Sequence, residues 1–287
     1  MKFPEFDYTC PTSLDEALDL LEKHGDKAVL LAGGQSLMPV LAFRLAAPGL
    51  LVDLKKIPGL DTIEADGAGV RLGANVRWCD ILGNAALEAA HPLLVKAISH
   101  VAHYQIRNRG TVGGSLAYAD PAAEMPGIAV TCDANIIVRG AAGERHVKAE
   151  AFFLGALTTS LAPGEIITGL HLPAWPVDQR WAFQEFARRR GDFALAGTAV
   201  YYNLDAAGRA IDAHIAVIGA EDRPRRLIGA ESAVNGRVVN ADTIVTAAAE
   251  AASEVDPMED FHAPAIYRRA LVETLIARAL ADAATET

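Results

Sequence analysis

The sequence predicts an α+β chain in two domains, and three observations carry that prediction. Its 287 residues are long for one compact core, and 51% of them are hydrophobic, enough to fill more than one. Through the first part of the chain, short apolar runs alternate with segments of helical spacing. Past the prolines Pro173 and Pro176 the pattern changes to three strand-like runs and then two alanine-rich helices. The expected division is 1–175 and 176–287.

Each element has its own warrant. Ser13-Leu14-Asp15-Glu16 fits a capping box, Leu14, Leu18 and Leu21 follow at helical spacing, and Gly25 supplies the stop. Residues 27–31 read as a short buried strand, and 36–45 as a helix that tolerates Pro39 in its first turn. A strand over 50–54, a turn at 57–59 and a hairpin over 61–72, centred on Asp66-Gly67, come next. Residues 78–101 have helical spacing broken at His91-Pro92, which predicts two helices, and 105–110 read as a polar loop. Strands are expected at 134–138, 144–148 and 164–173. Beyond the boundary the expected strands are 180–188, 196–204 and 211–219, the last two joined by a turn at 205–208. Helices are expected at about 241–255 and 264–283, with no internal repeat.

Composition excludes several classes. With no apolar run of about 18 residues and no basic, apolar leader, a membrane span or export is not expected, and the reading is cytoplasmic. A formal net charge of −10 and 6% aromatic residues argue against a nucleic-acid partner. Cys10, Cys79 and Cys132 have no C-x-x-C spacing, so this chain alone cannot build an iron–sulfur cluster or a structural zinc site. They read as small buried hydrophobes.

Two glycine pairs carry the functional signal: Ala32-Gly33-Gly34-Gln35-Ser36 and Thr111-Val112-Gly113-Gly114-Ser115. Glycine admits positive φ and lets the main chain approach an anion closely, so successive amides can converge on phosphate oxygens without a lysine. Two such bends suggest two backbone clamps on one nucleotide; the plainer alternative for each is a tight turn. Downstream of the second pair, Asp120 and Glu124 are four residues apart, as a site for ribose or ribityl hydroxyls would require. Against that stands a helix capped by Asp120 with Glu124 on a solvated face. Gly67, Gly69 and Gly73 do not fit G-x-G-x-x-G and lie in the expected hairpin, and there is no P-loop.

The two glycine motifs, together with Arg188-Arg189-Arg190-Gly191-Asp192-Phe193-Ala194, resemble the FAD-binding medium subunits of the molybdenum hydroxylases. These include the aerobic carbon monoxide dehydrogenase medium chains and the flavin domain of xanthine dehydrogenase. The resemblance covers essentially the whole chain. It implies a flavin domain of the p-cresol methylhydroxylase and vanillyl-alcohol oxidase type, built of two α/β subdomains. A C-terminal domain of a three-stranded antiparallel sheet and helices would close over the flavin.

Carried over by motif, Leu30, Leu31, Ala32, Gly33, Gly34, Gln35, Ser36 and Leu37 would wrap the pyrophosphate from one side. Thr111, Gly113, Gly114 and Ser115 would close it from the other. Glu124, with Asp120 beside it, falls near the ribityl chain, and Val101, Ile166 and Ile167 near the adenine or ring system. Asp192 and Phe193 would lie by the isoalloxazine; some relatives carry tyrosine at the aromatic position, and Phe193 has no hydroxyl. No histidine lies in either glycine motif, so the FAD is expected to be non-covalent.

The resemblance further implies an electron-transfer subunit with no catalytic base and no metal of its own. A small [2Fe–2S] subunit and a large subunit with the molybdenum cofactor would be its partners, as a dimer of heterotrimers, and an external acceptor would take the electrons. The basic run 188–190 reads either as a solvated strand end or as a surface for an acidic partner. The rival readings are a stand-alone flavin oxidase or reductase of the same fold, and a non-catalytic nucleotide-binding regulator.

Overall fold

The computed structural model describes residues 2–176 and 178–285. The chain begins with strand β1 (Asp7–Thr9), helix α1 (Leu14–His24), β2 (Ala28–Leu31), α2 (Leu37–Ala42) and β3 (Leu50–Asp53). The strands form a parallel sheet in the order β1-β3-β2. Ser13 caps α1 by accepting from the Glu16 amide at 3.2 Å, while the Glu16 carboxylate reaches back to the amide of Thr12 at 2.8 Å. The capping box is thus displaced by one residue, because Glu16 closes on Thr12 rather than on Ser13. Ala17 and Leu21 of α1 pack on Leu50 and Val52 of the fully buried β3. Helix α2 ends earlier than its spacing predicts, since Arg44 turns to φ 57°.

A hairpin follows, β4 (Ile63–Asp66) and β5 (Gly69–Gly73), then α3 (Trp78–Leu82), α4 (Ala85–Ala90) and α5 (Pro92–Ile98). Three helices stand where two were expected. The extra break is at Asn84, whose Oδ1 accepts from the amides of Ala86 and Leu87 and starts a new helix. The stretch expected as a polar loop is a helical turn, α6 (Tyr104–Arg107), held by Arg107 donating to the carbonyls of Val101 and Ala102.

Next come α7 (Val112–Tyr118), α8 (Glu124–Thr131), β6 (Asn135–Gly140), β7 (Gly143–Lys148), α9 (Ala149–Phe152), β8 (Phe153–Gly155), β9 (Thr158–Thr159) and β10 (Ile166–Pro173). An antiparallel sheet runs β4-β5-β10-β6-β7. Met125 through Thr131 of α8 are all buried. A helix apolar on every side has no polar stripe to betray its period.

The last part is the expected meander, β11 (Arg180–Phe186), β12 (Ala196–Leu204) and β13 (Ala210–Ile218), with a two-residue strand β14 (Arg225–Arg226) added at its edge. Helices α10 (Ile228–Val234), α11 (Ala241–Glu254) and α12 (Ala265–Thr285) cover one face. The other face is not separate from the preceding part: Phe183, Ala199 and Ile218 join the core built on α5, α7, α8 and β10. The amide of Gly219 donates to the carbonyl of Pro121 at 2.8 Å, tying the end of β13 to the approach of α8.

His91 sets a pH limit on this core. It is 1% exposed, its Nδ1 accepts from the Leu94 amide at 3.3 Å to cap α5, and its ring lies 4.4 Å from that of Trp175. Burial pushes its pKa down to about 4. An unfolded histidine titrates near 6.5, so between those values the unfolded chain binds more protons, and acidification favours unfolding. Stability is expected to fall as pH drops from about 6.5 towards 4, with about 3 kcal/mol as the upper bound for this one group. Urea unfolding of wild type and His91→Asn at both ends of that window tests this. The difference between the two proteins should change with pH, and a constant difference would refute the assignment.

Candidate functional site

A cavity of about 1040 Å3 collects the predicted residues from distant parts of the chain. The loop from β2 to α2 contributes Leu30, Ala32, Gly33, Gly34, Gln35, Ser36 and Leu37, and the start of α7 contributes Thr111, Gly113, Gly114 and Ser115. Asp120 and Glu124, Val101, Ile166 and Ile167, and Asp192 and Phe193 line the remaining walls. Leu31 is the exception: it is not at the cavity wall, and its Cδ1 lies within 3.2 Å of where a side chain on Gly34 would begin.

The two glycine loops meet. A Cβ on Gly33 would stand 2.1 Å from the carbonyl oxygen of Arg109 and 2.9 Å from Cα of Gly110, so only glycine permits this approach. Gly34 alone of the four glycines has positive φ, at 72°. Among the described residues, the amides of Gly33, Gly34, Gln35 and Ser36 donate to no protein acceptor, and the Gln35 side chain braces the bend by donating to the Gly33 carbonyl at 2.9 Å. Four successive free N–H groups at a cavity wall form a nest for an anion.

The second loop corrects the expectation of two equivalent nests. Its glycines lie inside the first turn of α7, where Thr111 Oγ1 accepts from the Gly114 amide at 3.2 Å. The amide of Val112 is taken by Val76, that of Gly113 by Ala74 and that of Ser115 by Thr111. Its amides therefore serve the fold. A Cβ on Gly113 would meet that of Ala74 at 2.6 Å, so this glycine answers to packing. What the second loop brings to the cavity is Thr111 and Ser115, with Gly114 close to Ala32 of the first loop.

Neither bland reading of the two acids holds. Asp120 Oδ1 accepts from the amide of Ala122 at 2.9 Å in a local turn, and α8 starts four residues later with no side-chain cap. Glu124 is partly covered at the cavity wall rather than on a solvated face. Burial raises the pKa of Asp120. Burial, and then the charge of Asp120, push that of Glu124 up to about 7. No side-chain donor reaches Glu124 among the described residues.

The opposite end of the cavity is roofed by the turn between β11 and β12 and by the segment before α12. Phe193 is 66% exposed there. Arg268, only 4% exposed, donates Nη1 to the carbonyls of Leu195 and Gly219, both at 2.7 Å, and Nη2 to Asp260 at 2.8 Å. It fixes the roof, and the sequence reading did not single it out. The signal was present: Arg268 leads the buried stripe Val272, Leu275, Ile276 and Ala279 of α12, and a charge heading an apolar stripe needs buried partners. His103 also lines the cavity.

This geometry fits a dinucleotide. The nest suits a diphosphate, hydroxyl-accepting carboxylates follow along one wall, and the volume is at the upper end for small-molecule sites. Comparison with known proteins agrees with that class. Residues 4–175 match the family described as FAD binding domain in molybdopterin dehydrogenase, and residues 181–283 match the CO dehydrogenase flavoprotein C-terminal domain. The nicotine 6-hydroxylase medium subunit of Paenarthrobacter nicotinovorans is 39% identical over 287 residues, covering 100% of both chains. The 6-hydroxypseudooxynicotine dehydrogenase complex subunit alpha of the same organism is 38% identical, covering 99% of this chain and 96% of the relative. Among solved structures, carbon monoxide dehydrogenase from Hydrogenophaga pseudoflava superimposes with a TM-score of 0.95 at 35% identity, covering 99% of this chain and 98% of that one.

The chain belongs to the FAD-binding medium subunits of the molybdenum hydroxylases, within the carbon monoxide dehydrogenase and xanthine dehydrogenase family. It is an oxidoreductase flavoprotein subunit whose own cofactor is FAD. No helix among the described residues is long and apolar enough to cross a membrane.

The loop contact yields a graded prediction. Gly33→Ala puts a methyl group into the Arg109 backbone and must displace the nest, so FAD affinity should fall by about a hundredfold or more, roughly 2.7 kcal/mol. Gly114→Ala meets only the Thr111 hydroxyl, at 2.9 Å, and should cost less. Quenching of flavin fluorescence on binding measures both; equal affinities for Gly33→Ala and wild type would show that the loop contact does not shape the site.

Proposed function

We propose that this chain collects electrons from the [2Fe–2S] clusters of a small partner subunit and delivers them to an external acceptor such as a quinone, oxygen or NAD. Substrate oxidation would occur at the molybdenum cofactor of a large partner subunit, and the assembly would be a cytoplasmic dimer of heterotrimers. The flavin would sit between the two subdomains of a domain of residues 1–175, with a domain of residues 176–287 closing over it. Relatives described as medium chains and as subunits of dehydrogenase complexes support the division of labour.

The observation that carries the reading is the row of four unpartnered amides at Gly33, Gly34, Gln35 and Ser36 on a dinucleotide-sized cavity. When bound there, FAD supplies chemistry that accepts electrons singly or in pairs, linking one-electron clusters to two-electron acceptors. The protein's part is to bind and orient. The four amides would hold the diphosphate, with Leu30, Ala32 and Leu37 flanking them and Thr111, Gly113, Gly114 and Ser115 closing the other wall. Asp120 and Glu124 would accept from sugar or ribityl hydroxyls, while Val101, Ile166 and Ile167 give apolar contact. Asp192 and Phe193 would border the ring, where Phe193 packs and excludes water but exchanges no proton.

The test separates this subunit from a stand-alone oxidase. The purified chain, stripped and titrated with FAD, should take up one flavin per chain, undergo anaerobic photoreduction, and reoxidise with quinone or oxygen. It should turn over no organic substrate until the partner subunits are added. A chain that stays colourless, or one that oxidises substrate unaided, would overturn the proposal.

A further inference from the structure

Glu185 is a half-buried acid, one of its carboxylate oxygens fully covered, for which flavin binding, as described so far, has no use. It lies on β11 opposite Gly197 of β12, two residues after Phe183 and so on the same face of the sheet. That face packs into the shared core, where the Phe183 ring lies 5.0 Å from that of His100, just past the end of α5. The neighbouring Gln184 points the other way and donates to Asp282 of α12. Glu185, Gly197 and Ile218 form one row across that face, and α8 rests on the row where Gly127 meets the Ile218 side chain; with no side chain on Gly197 between them, Glu185 is turned towards the first turn of α8, where Glu124 begins the helix. Its Oε2 is buried and has no hydrogen-bond partner.

The groups around it supply no compensating cation. From α8 it faces Glu124, whose charge is the one that acts on it, and beyond Glu124 stands Asp120. Just past α5, His100 is held towards its neutral form by burial and by the charges of Lys96 and Arg190. On α12, Arg268 gives its Nη groups to Asp260 and two carbonyls, and its buried Nε donates to no acceptor, Glu185 included. Burial and then the charge of Glu124 push Glu185 up to about 8. An ionised carboxylate without a donor is too costly in such a place, so one proton stays on the pair near neutral pH.

We propose that Glu185 is a positioning residue that acts through Glu124: the two share a proton, and by retaining it they keep the cavity wall from becoming fully anionic where an anionic dinucleotide must bind. The inference rests on the FAD reading of the site. Bound FAD brings negative charge and excludes water. Both effects disfavour ionisation of the pair and outweigh a hydroxyl donated to Glu124, so binding draws in a proton.

Calorimetric titration of the stripped full chain with FAD, in buffers of different ionisation enthalpy, counts that proton. Wild type should take up about a fifth of a proton at about pH 7.5, and its affinity should fall about two- to threefold between pH 7.5 and 8.5 if binding raises the pair's titration by one unit. Glu185→Gln, of the same shape but without charge, should take up less, lose the pH dependence, and bind FAD more tightly than wild type at pH 8.5. Damage to the fold cannot produce tighter binding, and the wild-type proton count stands even if the variant is unstable. Binding with no proton uptake, proton release, or a variant no tighter at high pH would each overturn the inference while leaving the flavin site intact. Failure of wild type to bind FAD would overturn the flavin reading itself.

Discussion

The site depends on one close approach. Gly33 lies so near the backbone at Arg109 and Gly110 that no side chain fits between them, and this contact joins a parallel three-stranded sheet to the start of α7. It sets the loop that leaves β2 directly against the segment that leads into α7. With it, the first loop is held in an arrangement that leaves Gly33, Gly34, Gln35 and Ser36 without internal acceptors. The four residues are half-buried at the cavity wall, so their amides are open to an acceptor that the protein does not supply, and a diphosphate is such an acceptor.

The two loops share a sequence pattern and do different work. In the first, glycine frees amides for a ligand. In the second, glycine lets a helix start against Ala74, and the amides are spent on Val76, Ala74 and Thr111. A Gly-Gly pair with a hydroxyl residue two or fewer positions away specifies close packing of backbone. Whether the neighbour is protein or ligand depends on which carbonyls the fold brings up, and local sequence does not contain that information.

Elements with a strong period or a clear punctuation mark were legible: α1 with its Ser13 cap and Gly25 stop, the hairpin at Asp66-Gly67, and the meander of β11 to β13. Those that were not legible fail for stated reasons. β1 is three residues long with an exposed pattern, and β14 only two, too short to show alternation. α8 is buried all round, and α4 needed the Asn84 cap to be recognised as a separate helix. The lining of the cavity was readable wherever a motif marked it. Its roof was not, because Arg268 and Asp260 come from a helix and a turn whose relation to the glycine loops exists only after folding. Glu185 stands between these cases: alternation through Arg180–Phe186 places it on the face of Phe183, so a buried acid could have been foreseen, but not its neighbour Glu124.

The distribution of charge in the cavity explains how such a site can hold a dinucleotide without lysine. Its deepest cation, Arg268, is paired with Asp260 and gives Nη1 to two carbonyls, leaving only Nε without an acceptor, so its charge stiffens the roof more than it attracts the ligand. Attraction falls to the dipoles of the four amides, which act at short range and in one direction. Acids can therefore stand farther along the same wall, where sugar hydroxyls call for acceptors, without opposing the diphosphate at its own position. They do so only while their combined charge is limited, and in a partly buried site that limit is set by how readily neighbouring carboxyls give up their last proton. At the far end the Phe193 ring itself carries no titratable group, although Asp192, Asp260 and His262 line the cavity near it; the acids that follow the glycine loops along the wall are Asp120 and Glu124.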